Sequence, residues 1–138
     1  MHERANRTDL LDDYRAELED YRAALSHWTD AEADWAYARR NSGHMLFAIG
    51  LHTGESADFE QAAGAYREAA AAFEAAGQVT DRTEAEFERG RAWHEIAYRT
   101  GDAAAWRKAL DAYEAAIGAG KSEPAMHETV GYAHANRA

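Results

Sequence analysis

His94-Glu95-Ile96-Ala97-Tyr98 is half of a zinc-hydrolase helix. The full His-Glu-x-x-His pattern puts two imidazoles on one helical face, with the glutamate as base. Tyr98 stands where the second histidine belongs, so the two-ligand face is missing. His127 and His134 are seven residues apart and could share a face, but two ligands do not close a structural zinc site. Gly120-Lys121-Ser122 has the tail of a phosphate-binding loop. That loop needs a glycine at position 115, which is Ala115 here, and it follows a strand rather than a helix. The string reads instead as a helix C-cap followed by an N-cap. No serine–histidine–acid set and no paired carboxylates stand out, so no enzyme, cofactor or metal is expected. Arginine offers a different chemistry, because a guanidinium grips a carboxylate through two parallel hydrogen bonds. Arg40, His44, Phe47 and Leu51 fall at steps of 4, 3 and 4, which is one helical face. Phe87, Arg91, His94 and Tyr98 do the same.

These residues need helices to hold them, and the composition supplies helices. The chain has 138 residues, no cysteine, one proline and a formal charge of −10. That length suits one domain with one core. Without cysteine there are no disulfides, thiol nucleophiles or thiolate metal sites. One proline and little β-branching point to an all-α fold. An acidic chain repels phosphates, so nucleic acid is not an expected partner. No apolar run approaches a membrane span, and the N-terminus lacks an apolar signal core, so a cytoplasmic location is expected. Thirteen of the fifteen basic residues are arginine. That bias fits either codon usage in a GC-rich genome or a salt-rich cytoplasm.

Periodicity divides the chain into about six helices. Thr8 reads as the first N-cap. Leu11, Tyr14, Leu18, Tyr21, Leu25 and Trp28 then follow at steps of 3, 4, 3, 4 and 3, a heptad seam. Thr29-Asp30 reads as the cap of a second helix, from about Ala31 to His52. Thr53-Gly54-Glu55-Ser56 breaks it. A third helix runs from Ala57 to Ala76 and is closed by Gly77. Thr80-Asp81 reads as the cap of a fourth, which ends at Arg99 before Thr100-Gly101-Asp102. A fifth spans about Ala103 to Ala119. Ser122-Glu123-Pro124 opens a sixth.

Two of the helix pairs repeat at an offset of 47 residues. Gly43 aligns with Gly90, Leu46 with Trp93, Ile49 with Ile96 and Thr53-Gly54 with Thr100-Gly101. Phe59 then aligns with Trp106, Ala62 with Ala109, Tyr66 with Tyr113 and Ala69 with Ala116. Repeated helix pairs mark a solenoid, in which each pair covers its neighbour's apolar face. The expected layout is a capping or dimerising helix over 1–29, repeats over 30–78 and 79–121, and a half repeat over 122–138. Gly131 in that half repeat matches Gly43 and Gly90. At repeat-matched places Trp93, Trp106, Tyr66 and Tyr113 are expected in the core. Glu17, Glu19, Asp20, Glu68 and Glu74 are expected on solvated faces.

The glycine at the helix crossing, followed by alanine, aromatic and alanine at steps of 4 and 3, resembles tetratricopeptide repeats. Here these are Gly43 with Ala62, Tyr66 and Ala69, and Gly90 with Ala109, Tyr113 and Ala116. The step from glycine to the first alanine is 19 residues in both copies, longer than in the common repeat. It is similar to the long repeats of bacterial proteins that join such arrays to caspase-like CHAT domains, which carry a similar Thr-Gly-Asp break. These 138 residues are not expected to include a protease domain, so no protease activity is carried over. The resemblance implies a short α-solenoid of antiparallel helix pairs whose first helices line a concave groove.

That groove would present Arg40, His44, Phe47, Phe87, Arg91, His94 and Tyr98, with Tyr132 from the last helix. Arg40, His44 and Arg91 resemble the family's carboxylate clamp, with histidine and fewer basic groups. A protein or peptide partner with an anionic segment or a free C-terminus would suit it. The competing reading is that Arg40 and Arg91 pair with acids of their own chain, such as Glu86, Glu88 or Glu95. The resemblance thus implies a non-enzymatic interaction adaptor. Alternatives are a small acidic escort chaperone for a client protein and an acidic decoy that mimics nucleic acid. The first helix would cap the solenoid of a monomer or join two copies as a homodimer.

Overall fold

The computed structural model describes residues 2–27 and 33–121. Within them lie five helices: α1 (His2–Leu25), α2 (Ala33–Thr53), α3 (Ser56–Ala75), α4 (Val79–Thr100) and α5 (Ala103–Gly120). The chain is all-α, and each helix packs chiefly on the next, as in a short solenoid. Trp28, the Thr29-Asp30 cap and the half repeat over 122–138, with Tyr132, His127 and His134, lie outside the described residues.

Two expected caps are corrected. Thr8 does not begin α1, which starts six residues earlier at His2. Glu3, Arg4, Ala5 and Arg7 are good helix formers, so the helix runs through Thr8 instead of starting after it. Thr80 and Asp81 lie inside the first turn of α4, whose N-cap is Gln78. Asp81 is engaged elsewhere: the Tyr37 hydroxyl donates to its Oδ2 at 2.6 Å.

The two breaks inside the repeats are built alike. Gly54 and Gly101 take φ of 72° and 73°, a left-handed turn that a side chain would strain. In each, the threonine hydroxyl accepts an N–H two residues on: Glu55 to Thr53 at 3.1 Å and Asp102 to Thr100 at 3.2 Å. Asp102 then caps α5 by accepting the Ala104 N–H at 3.0 Å.

The crossings explain the repeat. A Cβ on Gly43 would stand 2.7 Å from the Tyr66 ring, and one on Gly90 would stand 2.6 Å from the Tyr113 ring. Each tyrosine therefore lies flat in the notch that a glycine leaves on the preceding helix. Alanines at 62, 65, 69 and 70 on α3, and at 109, 112 and 116 on α5, let the helix axes come close and are all buried. The seam of α1 faces inward. Leu18 is buried with Leu46 and Ile49 of α2, and Leu11 and Tyr14 pack beside it.

One expected core residue is half open. Phe59 is fully buried with Ile96 and Ala97 of the following helix. Its counterpart Trp106, on the last described helix, is 40% exposed. Among the described residues no helix is long and apolar enough to cross a membrane.

Candidate functional site: the face of α2 and α4

α2 and α4 lie side by side and are tied by side chains. Arg40 donates from Nε to Glu88 Oε2 at 2.9 Å and from Nη2 to Glu88 Oε1 at 2.6 Å. The same Nη2 lies 3.1 Å from Glu84 Oε2. Both carboxylates sit on α4, four residues apart, so one guanidinium bridges a full turn of the facing helix. The Glu88 hydrogen bond, above all, raises the Arg40 pKa and keeps its charge fixed. Arg40 is thus spoken for by its own chain, and the pairing with Glu88 foreseen as the competing reading is what forms.

His44 sits one turn further along α2. Its Nδ1 lies 2.8 Å from the Tyr66 hydroxyl, and its Nε2 lies 3.8 Å from Glu88 Oε1. Burial holds the imidazole below its ordinary pKa, and Arg40 and Arg91 push the same way against Glu88. Burial likewise raises the Tyr66 phenol. A neutral histidine beside a protonated phenol accepts the phenol's hydrogen at Nδ1 and carries its own proton on Nε2, toward Glu88.

The second repeat uses different positions for the same pair. His94 Nδ1 lies 3.3 Å from the Tyr113 hydroxyl. Yet His94 aligns with Phe47, and His44 aligns with Arg91. The edge-to-face pair of Phe47 and Phe59, 5.2 Å apart, becomes His94 and Trp106 at 4.9 Å in the second repeat. Arg91 is exposed and lies over the Phe47 ring at 5.3 Å from its centroid.

Of the residues assigned to the groove, the structure brings Arg40, His44, Phe47, Arg91, His94 and Tyr98 onto the α2/α4 pair. Phe87 is corrected: it is 9% exposed and packs against Tyr113 in the core. It clusters there with Ala109, Ala116 and Ile117 of α5. Two residues stand out to solvent at one repeat position: Leu51 is 51% exposed and Tyr98 is 79% exposed. Sequence reasoning missed Glu84 and Tyr66 as members of the network. The Glu84–Glu88 spacing on one helix was the readable signal for the first. Nothing local signalled the second, because Tyr66 reaches His44 across a helix crossing.

Glu95 of the half zinc motif pairs with Arg99 at 3.1 Å. Lys121 caps α5 with right-handed backbone. Among the described residues no three histidine, aspartate or glutamate side chains group to hold a metal. Comparison with family models, curated proteins and solved structures gives no match to this chain.

Proposed function

We propose that the chain is a non-enzymatic interaction module that holds an acidic, apolar peptide segment on the face of α2 and α4. The observation that carries this reading is the exposed pair Leu51 and Tyr98, which repeat the same outward position on the two helices where exposed Arg91 lies over the Phe47 ring. An apolar anchor over Leu51 and Tyr98 with a carboxylate at Arg91 uses both chemistries of the face. Arg40 has a supporting part. Its bridge to Glu84 and Glu88 holds the two helices in register, so a partner meets a surface already ordered.

Affinity capture from source-cell lysate at low and high salt tests the reading, with Arg91→Glu and Tyr98→Ala run beside the parent chain. The expected result is one enriched partner that is lost in both variants and weakened by salt, at unchanged helicity. Equal capture by the parent and both variants would remove the assignment. Enrichment of many unrelated unfolded proteins would replace the adaptor with an escort chaperone.

A further inference from the structure

Gly64 sits in the middle of α3, and nothing lies within 4 Å of where its Cβ would stand. Gly43 and Gly50 have rings pressed against them, which explains their lack of a side chain. Gly64 has no such ring. It borders, with Ala63, a cleft of about 470 Å³ between α3, α4 and α5. That volume is within the range of small-molecule sites, roughly 300–1,000 Å³. A second hollow, between α1, α2 and α3, has about 250 Å³ and falls below it.

The cleft is polar at one end and aromatic further along. Arg67 and Arg89 contribute guanidinium groups from α3 and α4, and Asp111 contributes a carboxylate from α5. Arg89 is held by Glu86 at 2.6 Å. Arg67 and Asp111 make no ion pair among the described residues. Asp111 aligns with Gly64 in the repeat, and the two residues line the same cleft from α5 and α3. Arg67 lies about one turn further on, roughly 5 Å along the axis. Trp93 closes the other direction, its ring covered by the Lys108 ammonium at 4.3 Å.

We propose that this cleft binds a free amino acid as its zwitterion. The carboxylate is taken by Arg67, with Arg89 beside it, and the ammonium by Asp111. The side chain lies over Ala63 and Gly64 toward Trp93. Opposite charges that line one cleft from two helices, neither spent on an ion pair among the described residues, suit a molecule that carries both charges on one carbon. A helical glycine costs stability, and here it opens space where the ligand's side chain would run. Lys108 and Glu60 line the far end with one charge of each sign, so an uncharged side chain suits it.

Titration calorimetry of the full chain with L-leucine and L-phenylalanine tests this. The expected result is saturable binding that falls at least about tenfold with the N-acetylated or amidated amino acid. Asp111→Asn and Gly64→Leu are expected to cause the same loss while the circular dichroism melt keeps its cooperative transition. Should Gly64→Leu fail to fold, Asp111→Asn on the exposed face of α5 still decides the matter. The proposal is overturned if neither amino acid binds, if the N-acetylated form binds as well as the free one, or if a folded Asp111→Asn binds like the parent.

Discussion

Removing the Arg40 guanidinium would leave Glu88, whose side chain is 15% exposed, with a largely buried and uncompensated charge. Arg40→Ala is therefore expected to cost about 1.5–3 kcal/mol in chemical denaturation, the usual loss for hydrogen bonds to charged groups. A loss under half that would mean that water already satisfies Glu88. His44 makes a pH prediction. Its folded pKa lies below the unfolded value near 6.5, so the unfolded chain takes up the proton first. Its contribution is fully present above that value and is lost as pH falls through the depressed one. His44→Gln, which can still accept from Tyr66, is expected to flatten the fall of the melting temperature between about pH 7 and pH 5. An unchanged slope would place that titration on other histidines. The individual types of these residues were legible in the sequence: arginine, histidine and aromatic at helical steps. Their partners were only half legible, since Glu88 was foreseen and Tyr66 was not.

Between neighbouring helices, glycine has two opposite meanings, and the two can be separated by one methyl group. Gly90→Ala would put a Cβ 2.6 Å from a buried ring and is expected to destabilise by about 1–3 kcal/mol. Gly64→Ala meets nothing within 4 Å and is expected to stabilise by about 0.5–1 kcal/mol through helix propensity alone. Urea melts of the two variants check both signs, and the same sign in both would contradict the crossing described above. The crossing glycines were readable because the repeat prints each twice, each with its aromatic 23 residues later. The caps were less readable. Thr8 and Thr80 are sound cap residues by type, but strong helix formers before one and Gln78 before the other move the true starts.

Across the molecule, α1 closes one end of the stack by spending its seam on α2, through Leu11, Tyr14 and Leu18. Which surface the seam covers depends on long-range packing, which the heptad spacing alone does not carry. The solenoid order was legible because the 47-residue offset carries helix, break and helix together. Burial across the stack was not, since equivalent residues differ by what lies beyond them: Phe59 has α4 over it, and Trp106 is the last of its kind among the described residues. The open face of α2 and α4 is the central claim, and Arg91 with Tyr98 is its most exposed part. The most direct measurement is the dissociation constant of the captured partner's acidic segment for the parent chain and for Arg91→Glu, at low and high salt. The account predicts a loss of roughly tenfold or more in Arg91→Glu at low salt, with a shallower salt dependence than the parent. Equal constants at both salt concentrations would contradict it.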